Sequence, residues 1–324
     1  MAKSPVIVFR TEAGAGIGGG HAMRCLAVAE ALRARGVEAA VAASDETFAT
    51  APALARAGLE RRPPQVGVAD VAVLDGYGIG AEEEAAWRRA GARLAVIDDG
   101  LRPHDADLWI DPTPGRAEDD HRRFAPRARV LSGPRHSPMS LAFAREREAA
   151  LARRAAGGPP RRVLVGFGLT DPGSANLKAI RALSRFSELE IDVIVGGVAP
   201  SLSALRRTGV RLHVDASNVA ELTAAADLAV GAAGVSSWER CTLGLPAVTL
   251  IVADNQRPNA VALAQAGAAR VLGAAEAVDE AEIAAAVAEL IADASARSAM
   301  SRAAAGLCDG RGAERVAQAL LDLL

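Results

Sequence analysis

Short apolar runs alternate with longer helix-period segments from one end of the chain to the other, and the series runs twice. That alternation marks parallel strands joined by helices, because parallel neighbours need a long crossover that a tight turn cannot supply. In the first half, Val6–Phe9, Glu38–Ala42, Val71–Leu74, Leu94–Ile97, Leu108–Ile110 and Arg129–Leu131 read as strands. Helices are expected over 21–35 and 81–90, ended by Gly36 and Gly91. Ala22, Cys25, Leu26, Ala29 and Leu32 recur at helical spacing, so that face of the first helix is expected on the sheet. The segment Ala155-Ala156-Gly157-Gly158-Pro159-Pro160 then breaks the pattern and reads as a linker. Beyond it, strands are expected at 163–165, 191–195, 210–213, 228–230, 247–252 and 270–272, with helices over 278–305 and 311–324. The expected fold class is α/β, two Rossmann-like domains facing each other across a cleft, residues 1–157 and 158–310.

Composition removes several chemistries. Lys+Arg number 37 against 39 Asp+Glu, for a formal charge of −2, and no basic block occurs, so no nucleic-acid footprint is present. Lysine stands only at Lys3 and Lys178, with no Gly-Lys pair, which argues against a P-loop and against a Schiff-base lysine. Cys25, Cys241 and Cys308 lie far apart without a C-x-x-C, so neither structural zinc nor a disulfide framework is expected. A reducing, cytoplasmic setting is expected instead. The apolar run 5–9 is too short for a signal-peptide core, and 241–253 contains Pro246 and falls short of a membrane span.

Ligands of parallel sheets sit beyond the carboxyl ends of the strands, so the residues that follow each strand carry the functional reading. After the first strand come Gly14-Ala15-Gly16-Ile17-Gly18-Gly19-Gly20-His21 and then the helix. Glycines let backbone approach a ligand closely, and a helix start offers unpaired N–H groups, a combination that suits an anion or a polar sugar. Gly14, Gly16 and Gly19 match G-x-G-x-x-G only formally, since Arg10 to Ala13 separate them from the strand. His21, read as the last loop residue before the helix, stands where the dipole favours the neutral imidazole that a general base requires. His104, His121, His136 and His213 read as surface or loop residues. Asp75, Asp98-Asp99 and Asp111 end strands, where aspartate serves turns and caps without any substrate. Asp105-Ala106-Asp107 precedes a strand rather than following one, so no metal site is indicated.

In the second half, Gly166-Phe167-Gly168-Leu169-Thr170-Asp171-Pro172-Gly173 leads from a strand into a helix and forms another anion-ready turn. Gly231 to Ser237 places glycines before a helix that carries Glu239 in its first turns. A carboxylate there is stabilised by the helix end, and one aimed at a ligand also grips ribose hydroxyls. Asp254-Asn255-Gln256 adds amides after the next strand, where Asn255 either meets a ligand oxygen or caps helix 256–267.

Five blocks together carry a resemblance: Ile17 to Ala27, Asp227 to Gly234, Trp238-Glu239-Arg240-Cys241, Leu243-Gly244-Leu245-Pro246 and Ala253 to Gln256. They are similar to the UDP-2,4-diacetamido-2,4,6-trideoxy-β-L-altropyranose hydrolase family of pseudaminic acid biosynthesis, a pathway tied to flagellin glycosylation. The resemblance runs through nearly the whole chain and implies the GT-B architecture of nucleotide-sugar glycosyltransferases, with helix 311–324 crossing back to the first domain. It implies His21 as the general base that activates water at the anomeric carbon, beside Gly18, Gly19, Gly20 and Arg24. It also implies Tyr77 on the sugar side, Glu239 on the ribose, and the turn of Gly234, Val235 and Ser236 toward the pyrophosphate or uridine. Phe167, Gly168, Leu169 and Thr170 would line the same site, and Asn255 its rim. The family is metal-independent and inverting, and no cofactor is implied. The expected partner is a small-molecule UDP-sugar, with the chain acting as a monomer and without nucleic acid or membrane anchor. The family commonly shows G-G-S-D-P where this chain reads Gly168 to Pro172, and after Pro134 the family's tyrosine, arginine and glutamate are replaced. Three other readings stay open: a GT-B glycosyltransferase with an organic acceptor, a nucleotide-sugar binding protein without catalysis, and a nicotinamide oxidoreductase.

Overall fold

A computed structural model of the chain describes residues 5–171, 174–197 and 209–324. It divides into two compact units, Met1–Leu141 with Arg311–Leu324, and Ala142–Gly310. The first unit runs β1 (Ile7–Thr11), α1 (Gly20–Arg33), β2 (Ala39–Ala42), α2 (Asp45–Thr50), α3 (Pro52–Arg56), β3 (Glu60–Arg62), β4 (Val71–Asp75), α4 (Ala81–Arg89), β5 (Arg93–Ile97), β6 (Leu108–Asp111), α5 (Glu118–Arg122) and β7 (Arg129–Ser132). Its seven strands are parallel, in the order β3-β2-β1-β4-β5-β6-β7. Residues of β1, β2 and β4 are buried along their whole length, as expected of strands covered on both faces. The edge strand β3 is Glu60-Arg61-Arg62. Its charges protect an open edge, and the same charges hide it from a reading based on apolar runs.

The helix expected over 21–35 is α1, and it begins at Gly20, so His21 is its second residue rather than the last of the loop. Burial on α1 extends beyond the expected stripe to Ala27, Val28 and Ala31. The reason is the final helix of the chain, α13 (Gly312–Leu321), which packs along α1 within this unit. The start of α13 is seated on the turn Pro134–His136, where a Cβ on Gly312 would stand 2.7 Å from the Ser137 carbonyl carbon.

The second unit contains α6 (Leu141–Ala156) from Ala142 onward, β8 (Arg162–Gly166), α7 (Ala175–Leu183), β9 (Glu190–Val195), β10 (Val210–Val214), α8 (Val219–Ala225), β11 (Leu228–Ala232), α9 (Ser236–Thr242), β12 (Ala247–Ile251), α10 (Arg257–Gln265), β13 (Arg270–Ala274), α11 (Glu280–Ala292) and α12 (Ala294–Leu307). Its sheet is parallel in the order β10-β9-β8-β11-β12-β13. Both sheets therefore reverse strand order once, between β1 and β4 and between β8 and β11. Arginines tie α6 to this unit. Arg147 donates to the carbonyls of Thr242, Cys308 (2.9 Å) and Ala305 (2.8 Å), at the ends of α9 and α12 where helix carbonyls lack partners. Arg153 holds Asp227 at 2.6 Å, and Arg154 the Thr223 carbonyl at 3.1 Å. The glycine-proline segment 157–160 thus connects α6 to β8 inside one unit.

The helices expected over 278–305 are α11 and α12, divided at Asp293, which accepts the Ala296 N–H at 2.9 Å as the N-cap that starts α12. Pro172 and Gly173 of the turn after β8 lie outside the described residues. Among the described residues, no helix is long and apolar enough to cross a membrane.

The seat of α13 is testable. Gly312→Ala puts a methyl against backbone that cannot yield, at a cost of about 2 kcal/mol. Urea unfolding should show that loss together with faster proteolysis near the C-terminus. An unchanged unfolding midpoint would contradict the packing described.

Candidate active site

In the first sheet, β1 and β4 lie side by side with Thr11 opposite Asp75, so the segment after β1 and the end of β4 meet where the strand order reverses. The helix that follows β1 brings His21 and Arg24, three residues apart and on one face, onto Asp75. All three are buried, Asp75 completely. His21 Nδ1 stands 2.6 Å from Asp75 Oδ1. Arg24 grips the same carboxylate with two donors, Nε to Oδ2 and Nη2 to Oδ1, both at 2.6 Å, and Nη2 also reaches the Ile97 carbonyl at 3.3 Å. Cys25 adds its Sγ–H to Oδ2 at 3.5 Å.

The protonation pattern follows from the chemistry of these groups. Burial pushes the Asp75 pKa up, but the Arg24 guanidinium and the His21 ring outweigh it and hold the carboxyl below its ordinary range. An ionised carboxylate only accepts, so the proton between it and His21 belongs to Nδ1. Nη2 of Arg24, 3.0 Å from that nitrogen, is then a close cation rather than a donor to it. Nε2 of His21 accepts no hydrogen bond from the described protein atoms and is left as the ring's acceptor. Burial, and after it the Asp75 carboxylate, push the Cys25 pKa well above its ordinary value against the opposing pull of Arg24, so the thiol stays a weak donor.

Tyr77 follows β4 and stands edge-on to the His21 ring, centroids 4.6 Å apart at 88°. Its hydroxyl donates to Asp99, the second residue after β5. The loop Gly14 to Gly20 turns back on itself: Gly18 N–H donates to the Gly14 carbonyl at 2.8 Å, and Gly18 takes φ +80°. Gly19 is buried, Gly18 and Gly20 half-buried. Further along, two histidines read as surface or loop residues prove to be buried, His104 in a loop and His121 in α5. His104 lies between Glu84 (2.7 Å) and Asp98 (3.3 Å), and burial, which lowers its pKa, is outweighed by these carboxylates, which raise it. His121 Nε2 meets the wholly buried Asp111 at 2.8 Å, and Trp109 packs edge-on between the two rings. A single sequence shows neither burial, because both histidines stand in short polar segments between strands.

In the second unit, the loops after β8, β11 and β12 leave neighbouring strands at their carboxyl ends. Gly168 is exposed at φ +93°, and Leu169 and Thr170 are half-buried. Phe167 instead points into the hydrophobic core with 2% exposure. Asp171 accepts the Asn176 N–H at 3.0 Å and so caps the start of α7, and burial raises its pKa. Gly234, Val235 and Ser236 are half-buried, and Ser237 donates back to the Gly234 carbonyl at 2.5 Å. Gln256 reaches across toward Gly234, where a Cβ would stand 3.1 Å from its Nε2. Asn255 is exposed in the short 3-10 turn Asp254–Gln256, one residue before the Gln256 N-cap of α10. Glu239 retains some accessible surface, yet protein crowds it from enough sides that burial pushes its pKa up to about 7, against the pull of Arg240. Arg240 is itself committed to the Ala232 carbonyl at 2.6 Å and Ser236 Oγ at 3.2 Å. The Glu239 carboxylate accepts no hydrogen bond from the described residues.

The structure thus brings His21, Arg24 and Tyr77 together and adds Asp75 and Asp99, both read from sequence as turn residues. Arg24 spends Nε and Nη2 on Asp75 and Ile97. The sequence signal for Asp75 was its place after an apolar strand, shared by every other strand-end aspartate here.

Comparison with known proteins agrees with this architecture. Residues 212–318 match the model of the glycosyltransferase family 28 C-terminal domain. The spore coat polysaccharide biosynthesis protein SpsG of Bacillus subtilis (strain 168) is 26% identical over 203 residues, 60% of this chain and 59% of that protein. The chain therefore spans less than two thirds of that relative's length. Among solved structures, MurG of Acinetobacter baumannii is similar with a TM-score of 0.69 at 15% identity, covering 99% of this chain and 100% of that one. The spinosyn rhamnosyltransferase SpnG complexed with thymidine diphosphate gives 0.65 at 17% identity, covering 99% of each. The Staphylococcus aureus MnaA–UDP co-structure gives 0.61 at 14% identity, covering 99% and 98%. These likenesses show a GT-B-like fold.

The Asp75 cluster predicts a pH signature. Its folded pKa is depressed, so the stability it contributes is complete above the ordinary aspartate value of about 4 and is lost as pH falls through the lower folded value. Asp75→Asn leaves Arg24 buried without its counter-charge and should cost about 3 kcal/mol at neutral pH. Urea unfolding across pH should show the gap to wild type narrowing below about pH 4. A gap independent of pH would contradict the cluster.

Proposed function

We propose that the chain hydrolyses a UDP-linked 2,4-diacetamido-2,4,6-trideoxyhexose of L-altro configuration to UDP and the free sugar, as a step of pseudaminic acid biosynthesis. The observation that carries this reading is the His21 ring locked through Nδ1 to Asp75, with Nε2 left as its acceptor. Nε2 takes a proton from water as the water oxygen bonds to the anomeric carbon. The C1–O bond breaks with its electron pair leaving on UDP, and the centre inverts. Asp75 stabilises the imidazolium that forms, and Arg24 keeps Asp75 ionised so that it can do so. UDP is a good leaving group, so no separate acid is required.

The nucleotide belongs to the second unit in this reading. Glu239, whose carboxylate accepts no hydrogen bond from the described residues, accepts the ribose hydroxyls. Gly234, Val235, Ser236 and the turn from the exposed Gly168 to the half-buried Thr170 offer backbone N–H groups to phosphate oxygens. Asn255 contributes an amide at the rim. Support comes from the family 28 match, which includes Glu239 and Asn255, and from the UDP held by the similarly folded MnaA. The same match and the likeness to MurG and SpnG also favour a second reading, sugar transfer from UDP to an organic acceptor.

UDP release without acceptor and with chelator present, with the freed sugar's anomers followed by proton NMR, separates the two readings. Release of inverted free sugar is expected; donor that binds and stays intact would favour transfer. His21→Ala should lose at least about a thousandfold in turnover while still binding UDP, as judged by calorimetry. Unchanged turnover would remove His21 as the base. Glu239 gives a separate check, because its carboxyl ionises only as pH rises through about 7. Affinity for uridine, which has no titrating phosphate, should rise between about pH 6 and about pH 8 and be flat in Glu239→Gln.

A further inference from the structure

Tyr77 is the single tyrosine of the chain, and 48% of it is exposed. A ring that exposed ordinarily keeps rotamer freedom. Here it is fixed at both ends. The ring stands against the His21 imidazole at 4.6 Å and 88°. The hydroxyl donates to Asp99, with Oδ1 at 3.0 Å and Oδ2 at 3.1 Å.

Asp99 can anchor the ring because its own main chain is held. Its carbonyl accepts Arg116 Nη1 at 2.6 Å, and that nitrogen also grips the buried Asp111 at 2.7 Å. One residue earlier, Asp98 accepts the Gly100 N–H and Arg102 Nε, each at 2.6 Å, and its carbonyl takes the Trp109 indole N–H at 2.9 Å. The backbone that carries Tyr77 is set from the other side. Cβ atoms on Gly76 and Gly78 would each come within 2.9 Å of Glu12 Oε2, and Glu12 accepts the Gly78 N–H at 3.3 Å. Arg10 holds the other Glu12 oxygen at 3.0 Å.

We infer that Asp99 is a positioning residue for His21: through the Tyr77 hydroxyl it holds the tyrosine ring as a fixed wall beside the imidazole. Asp75 grips the ring at one nitrogen, and a contact at one point still allows the ring to tilt. The tyrosine edge removes that tilt and gives Nε2 one direction. The inference rests on His21 acting as the base.

The test separates positioning from substrate contact. Selective labelling of tyrosine gives one ring spin system, and in the wild-type protein its NOEs should reach the His21 ring protons. In Asp99→Ala those NOEs should vanish and kcat should fall about tenfold with little change in KM. Asp99→Asn keeps an acceptor for the phenol and should restore both. Tyr77→Phe removes the hydroxyl alone and should reproduce the kcat loss, and the Tyr77→Phe, Asp99→Ala double variant should lose no more than either single one. NOEs that persist in Asp99→Ala would overturn the inference, whether kcat holds or falls, since a fall would then come from contact with the substrate. A wild-type enzyme that hydrolyses nothing counts against the proposed activity, and the spectra still decide the positioning claim.

Discussion

The buried carboxylate of Asp75 governs the first unit. Removing a charge from water costs several kcal/mol, and the native fold keeps this one only because Arg24 returns two charge-assisted hydrogen bonds to it. That compensation requires Arg24 and His21 on one face of α1, α1 beginning at Gly20, and β4 ending beside β1. It also requires α13 along the outer side of α1, since a helix so fully buried needs a second neighbour. The sheet order, the helix start and the chain's last helix thus converge on one carboxyl group. A histidine held this way has one nitrogen committed and one left over, which is the arrangement a base needs.

The second unit meets a different constraint. Its sheet repeats the strand order of the first, and three loops leave adjacent strands around the reversal between β8 and β11. Glu239 is crowded there without a donor among the described residues, so desolvation pushes its pKa up to about 7. A ligand that brings hydroxyl donors relieves that cost, and the relief is binding energy. Arg240, its neighbour, cannot supply it because its guanidinium is spent on Ala232 and Ser236.

Strand positions were legible because both faces of these sheets are covered, which leaves uninterrupted apolar runs such as Ile7-Val8-Phe9 and Val71 to Leu74. The same logic hid β3, whose edge is charged. His21 stood out by its glycine-rich setting. Asp75 and Asp99 did not, because an aspartate after a strand looks alike whether it caps a turn or holds a guanidinium; only the third dimension tells which. His104 and His121 were misread for the same reason, their carboxylate partners lying on other elements. Phe167 was placed near a ligand by its loop, yet an aromatic one residue past β8 has the sheet core within reach and fills it.

The central claim is that His21 carries its proton on Nδ1 and offers Nε2 to the reaction. Nitrogen-15 NMR of the imidazole in the ligand-free protein tests it most directly, because a protonated ring nitrogen and a bare one resonate far apart. The neutral ring should show Nδ1 protonated and Nε2 bare, and Asp75→Asn should disturb that assignment. A neutral ring with its proton on Nε2 would contradict the account.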